Sequence, residues 1–131
     1  MFLLDTNTAS YLIKGTVAAV DRAAAAVPVE QIVLSAITEG ELIYGLEKKP
    51  QATRLRILVE EFLHRVTVLE WNSNAARHYG AVRARLEALG QPMANLDTMI
   101  GAHALSVGAV LVTHDKAFRR IRGLKVEDWT V

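Results

Sequence analysis

The sequence predicts a single-domain α/β protein with a mostly parallel five-stranded sheet and helices over both faces. Three observations carry this. Short apolar runs alternate with longer helix-periodic segments from end to end, the pattern of repeated strand–helix–strand units. The length, 131 residues, suits one domain. No linker, low-complexity tract or internal repeat divides the chain, so one domain over residues 1–131 is expected.

Strands are expected at residues 2–4, 32–34, 66–69, 109–112 and 125–127. Between the first two, "TASYLIKGTVAAVDRAAAAV" is Ala-rich and broken only by Gly15, which gives two short helices. "AITEGELIYGLEKK" forms a third, with Pro50 marking its end. In "QATRLRILVEEFLHR", Leu55, Leu58, Val59 and Phe62 recur at i, i+3, i+4 and i+7, the stripe of a fourth. The fifth is "SNAARHYGAVRARLEALG", with Ala75, Tyr79, Val82 and Leu86 on one face and Gly90 as the stop. "NLDTMIGAHALSVG" is the sixth, capped by Asn95 and ended by Gly108.

Composition is 51% hydrophobic and 22% charged, that of a folded globule. The absence of cysteine excludes disulfides, thiolate metal sites and Cys nucleophiles, and fits a reducing compartment. "MFLL" has no basic lead-in and its apolar run stops at Asp5, unlike a signal peptide. "SVGAVLVT" is far shorter than the ~20 residues of a membrane span. A cytoplasmic protein without membrane contact is the expectation. With a net charge of +1, any nucleic-acid site must come from local clusters of Lys and Arg.

Ligands of open α/β sheets bind beyond the carboxyl ends of the strands, so residues just after strands matter most. Asp5 directly follows the first strand. Asp115 follows the fourth in "GAVLVTHDKAF", with Thr113 two positions earlier. Asp97 lies in the opening turn of the sixth helix, where the helix dipole favours an anion by ~0.3–1 kcal/mol. Glu39 and Glu41 point about 200° apart on the third helix, so only one can face the sheet. Glu41 shares its stripe with Ile37, Tyr44 and Gly45 and is the one assigned inward, where Gly45 leaves room for close approach of another element.

Each acid read singly fits a structural role: Asp5 and Asp97 as caps, Glu41 on a solvated face, Asp115 in a turn. Read together, four carboxylates at one sheet edge repel one another and require a compensating charge. A divalent cation with hard oxygen ligands meets that need. Without Cys, and without two His at ligand spacing, Mg²⁺ or Mn²⁺ is favoured over Zn²⁺. With Asp5 a ligand, the cap of the first helix is expected to pass to Asn7 or Thr8.

"LLDTN", "S-x-x-T-x-x-E-L-x-Y-G", "D-x-x-I-x-A-H-A" and "L-V-T-x-D" occur here in order, and together they resemble the PIN domain. More narrowly, with the closing "GLKVEDW", they resemble the VapC-type toxin ribonucleases of bacterial toxin–antitoxin pairs. The resemblance spans essentially the whole chain. It implies a Rossmann-like fold, an acidic pocket for one or two Mg²⁺ or Mn²⁺ ions, and metal-dependent hydrolysis of RNA phosphodiesters. Residue by residue, Asp5 and Asp97 match the central metal ligands, Glu41 the glutamate that completes the pocket, and Asp115 the fourth, more variable acid. Thr6, Asn7 and Thr113 match polar residues that support the pocket. The chain departs from the family at His114, where many members carry Asn; His114 is either idle or a hydrogen-bond donor to the pocket. A homodimer and a small antitoxin whose extended tail occupies the toxin's groove are also implied.

Lys116, Arg119, Arg120, Arg122 and Lys125 follow Asp115 without an intervening acid, and are either a solvated basic face or contacts to RNA phosphates. Tyr11, Leu12 and Ile13, with the Ala-rich segment behind them, offer an apolar surface for a partner. His64, His78 and His103 read as structural, and Trp71 and Trp129 as packing or interface residues. Two rival readings stand beside the nuclease. One is an aspartyl-phosphate phosphatase with Asp5 as nucleophile, which would want Asp where Asn7 stands. The other is a PIN-like scaffold that binds RNA or protein without cutting.

Overall fold

A computed structural model describes residues 1–131. The strands are β1 (Phe2–Leu4), β2 (Ile32–Ser35), β3 (Thr67–Leu69), β4 (Val110–Val112) and β5 (Val126–Glu127). The helices are α1 (Thr6–Lys14), α2 (Ala18–Ala25), α3 (Ala36–Glu47), α4 (Thr53–Arg65), α5 (Ser73–Ala88) and α6 (Asn95–Val107). Short 3₁₀ turns precede β2 and follow β4. No helix is long and apolar enough to cross a membrane.

The strands lie in the order β3-β2-β1-β4-β5, and every pair is parallel, one step beyond the mostly parallel sheet expected. Chain direction across the sheet reverses between β1 and β4, so the crevice of this topology opens beyond the ends of those two strands. Asp5 follows β1 and Thr113 follows β4, with Leu4 and Val112 in register between them.

Two-residue alternation divides the core. Leu3, Val33 and Leu111 face one way, packing with Val82, Leu86 and Ile100 under α5 and α6. Leu4, Leu34 and Val112 face the other way, with Ala9, Val20 and Phe62 under α1, α2 and α4. The stripes of α4 and α5 are turned inward as expected, with Val59, Phe62, Ala75, Val82 and Leu86 all buried. Trp129 packs its ring on Phe2, and Trp71 donates its indole N–H to the Met99 carbonyl, so both act as packing residues.

Helix ends follow sequence chemistry at most positions. Gly15 and Gly108 adopt left-handed φ of 64° and 69° at the ends of α1 and α6, a conformation that glycine reaches without steric cost. Two expectations fail. Asn95 does not cap α6; it is already the first helical residue, and Ala94 occupies the cap with no side-chain bond. The cap of α1 does not pass to Asn7 or Thr8; Asp5 itself accepts from the Thr8 N–H at 2.9 Å. A carboxylate has lone pairs enough to cap a helix and keep others free.

Candidate metal centre

Asp5 is 5% exposed and held from two sides. One oxygen takes the Thr8 N–H, and the other takes the Thr113 hydroxyl at 2.6 Å. Thr113, itself 2% exposed, also accepts the Asp115 N–H at 3.0 Å. One threonine thus ties the end of β1 to the turn that carries the last acid. The Asp115 side chain opens that 3₁₀ turn by accepting from the Ala117 N–H at 2.9 Å, leaving its second oxygen open.

Across the site, Thr6 donates to Glu41 Oε1 at 2.6 Å, and the buried Thr38 hydroxyl lies 3.3 Å from Thr6. Glu41 is therefore turned toward α1, although Tyr44 of its stripe is exposed. The expected use of Gly45 is not what the structure shows: nothing lies within 4 Å of where its Cβ would be, so the space stays open.

Asp97 occupies the first turn of α6, whose cap position supplies no side-chain oxygen. Its carboxyl is pushed above the usual carboxylate range, first by burial and then by the charges of Asp115, Glu41 and Asp5. The four acids named from the sequence thus meet in one electrostatic neighbourhood. None of them forms a salt bridge. No three acidic or imidazole groups are placed to grip one ion together. An ion here would take one or two of these carboxylates and complete its coordination with water. The donor set, all oxygen and all anionic, suits Mg²⁺ or Mn²⁺.

Two clefts flank the acids. One, about 400 Å³, is lined by Asp5, Asn7, Tyr11, His114, Asp115 and Lys116. The other, about 280 Å³, runs from Thr6 and Glu41 between α1, α3 and α4. Asn7 is exposed and lines both.

The basic run after Asp115 does not form one patch here. Lys116 enters the first cleft, whereas Arg120 bonds the Pro92 carbonyl and Arg122 lies beside Arg85 and Leu105 at α5 and α6. Arg119 is exposed on the 3₁₀ turn. Tyr11, Leu12 and Ile13 also separate. Tyr11 lines the acidic cleft, Ile13 the second cleft, and Leu12 an apolar groove with Ala24, Val27 and Phe62.

Three supports were not assigned from the sequence. Thr38 stands in the quoted "S-x-x-T" run and is the signal that was there to read. His103 Nδ1 lies 2.7 Å from the Ser35 hydroxyl, and its ring also bonds the Glu70 backbone. With the ring N–H given to that carbonyl, Ser35 donates to Nδ1 while accepting from the Ile37 N–H. The imidazole so braces α6, which bears Asp97, against the start of α3, which bears Glu41. His114 lines the cleft with Asp5 and Asp115, and its Nδ1 pairs with Asp128 at 2.9 Å. The Thr130 hydroxyl, with His114 and despite partial burial, holds the Asp128 carboxyl down at about 2.

A buried aspartate at the strand end of the switch point, and an Asp97 that feels its charge and those of Glu41 and Asp115, make an acidic site of the PIN type. The PIN domain profile matches residues 2–124. The tRNA(fMet)-specific endonuclease VapC of Salmonella typhimurium is 40% identical, covering 98% of this chain and 97% of its own. Its namesake from Shigella flexneri is 38% identical over 98% of both chains. In the solved structure of DNA-bound VapBC from Salmonella typhimurium, a chain 40% identical superposes with a TM-score of 0.90, covering 98% of this chain and 97% of that one. This chain belongs to the PIN-domain family, among its VapC-type ribonucleases.

Proposed function

We propose that the chain is a Mg²⁺- or Mn²⁺-dependent endoribonuclease, the toxin of a toxin–antitoxin pair, that cuts RNA at the acidic site. The observation that carries this is the uncompensated meeting of Asp5, Glu41, Asp97 and Asp115, with Asp97 burdened by the charge of the other three. One or two of these carboxylates would hold the ion directly and the others would reach it through its waters. A bound divalent ion supplies an activated water and stabilises charge on the phosphoryl oxygens.

The remaining residues do the positioning. Thr113 and Thr8 hold Asp5 at the strand end, and Thr6 holds Glu41 opposite, which fixes two ligands on elements of the rigid core. Asp115 keeps one oxygen in the cleft because its backbone is tied to Thr113. No side-chain nucleophile is needed. The aspartyl-phosphate reading wants an acid two residues after Asp5, and that position is Asn7.

The relatives' names make tRNA(fMet) the RNA to offer first. Relatives solved as VapBC complexes support an antitoxin partner for this chain. The test is cleavage of tRNA(fMet) and other structured RNAs with Mg²⁺, Mn²⁺ or EDTA, by wild type and Asp97→Asn. Cleavage lost with EDTA and in the variant is expected; cleavage that survives either refutes the metal-nuclease reading.

A further inference from the structure

We propose that the cleft between α1, α3 and α4 is a phosphate-binding track for the RNA strand leaving the acidic site, with Lys14 and Lys49 as its principal contacts. The inference rests on the ribonuclease reading and names how that site holds its substrate. Lys14 ends α1, and Lys48 and Lys49 follow α3; all three line the cleft that begins at Thr6 and Glu41.

A plain explanation of these lysines is that cations are favoured at helix C-termini, by ~0.3–1 kcal/mol. That does not explain their convergence from two helices onto one cavity of about 280 Å³. None of the three is in a salt bridge. Lys48 instead rests 5.1 Å over the Tyr44 ring, leaving Lys14 and Lys49 as the free cations. Gly45 also lies on this cleft, with nothing within 4 Å of where a Cβ would be. A glycine inside a helix costs ~1 kcal/mol against alanine, and here no packing contact requires it.

Distance decides what the lysines serve. Thr6 and Lys14 are eight residues apart on α1, about 12 Å along its axis. With no ion pair to the acids, the lysines do not neutralise them by contact. They remain available to a polyanion that reaches both places at once. A strand with one phosphate at the acids carries its next phosphates along the cleft. Lys116, in the cleft on the other side of Asn7, gives the strand a cation at its opposite end. An acidic peptide has no comparable reason to begin at Glu41, where its own charge is repelled.

The test uses full-length protein carrying Asp97→Asn, so that RNA is bound and not cut, and a fluorescent unstructured 12-nucleotide RNA titrated from 50 to 200 mM KCl. Adding Lys14→Ala with Lys49→Ala should weaken binding and reduce the slope of log K against log salt by about 1.4, since each phosphate contact on a single strand contributes about 0.7. Gly45→Phe, which fills the cleft at unchanged charge, should weaken binding too. Arg77→Ala with Arg85→Ala removes as much charge from α5 and should leave the slope unchanged. A slope that survives the lysine pair, or falls equally in the α5 control, overturns the inference. So does a lysine pair that spares RNA but releases a Glu-rich peptide, which would make the cleft a protein site. In the cleaving protein, metal-dependent activity with an unaltered KM after Lys14→Ala and Lys49→Ala overturns this inference alone. Activity indifferent to EDTA overturns the reading beneath it.

Discussion

Thr113→Val is the sharpest test of how the site is built. The substitution keeps shape and β-branching but removes the hydroxyl that donates to Asp5 at 2.6 Å and accepts from the Asp115 N–H at 3.0 Å. Hydrogen bonds to a charged group contribute ~1.5–3 kcal/mol, and both partners here are buried, so a loss of about 2 kcal/mol is expected. For a chain of 131 residues the unfolding entropy near Tm is about 0.28 kcal/mol/K, which converts the loss to a Tm drop of roughly 7 °C. The same bond fixes two of the four acids, and groups that orient metal ligands are worth ~10–100-fold in activity or metal affinity. Thr113→Ser restores the hydroxyl and should recover most of both. Thermal unfolding and RNA cleavage at saturating Mg²⁺ measure the two effects. A valine variant within about 1 °C of wild type and equally active would refute the role given to Thr113.

Asp97→Asn should abolish cleavage yet raise the Tm of metal-free protein at pH 7. The carboxyl titrates above its ordinary value, so its charge costs stability above that raised value, and the variant's advantage should vanish as pH falls below the usual carboxylate range. Mg²⁺ at 100 times its Kd should stabilise wild type by about 2.7 kcal/mol, roughly 10 °C, reversed by EDTA and absent from Asp97→Asn. A Tm indifferent to Mg²⁺ and Mn²⁺ would count against the acids as ligands. His103 is buried and titrates below its ordinary value, so its neutral form supports the fold above about pH 6.5 and that support is lost as pH falls toward the depressed value. The Tm of His103→Gln should therefore fall less between pH 7 and 5 than that of wild type, and an equal fall would refute the neutral brace.

The five strands were legible because a sheet covered on both faces demands short continuous apolar runs, and each such run became a strand. Helix stripes were legible for the same reason: Val59, Phe62, Val82 and Leu86 could be buried only on one side. Asn95 misled because capping depends on where the chain enters the helix, a matter of backbone direction rather than residue type. The run from Lys116 to Arg122 is contiguous in sequence, yet Lys116 lines the acidic cleft while Arg122 lies beside Arg85 and Leu105.

For the candidate site, the sequence alone singled out the four acids that the fold brings into one electrostatic neighbourhood. Carboxylates at the ends of apolar strands are costly unless they serve a cap or a ligand, and four at one edge of a parallel sheet already imply a cation. Tertiary structure decided what no spacing in the chain encodes. Thr113 reaches Asp5 across 108 positions, Thr6 reaches Glu41 across 35, and His103 reaches Ser35 across 68. It also made Asp5 cap and candidate ligand at once, and drew Lys14 and Lys49 into one cleft. Periodicity reports the environment of each residue along its own element, whereas hydrogen bonds and fields join residues that only the packing of different elements brings together.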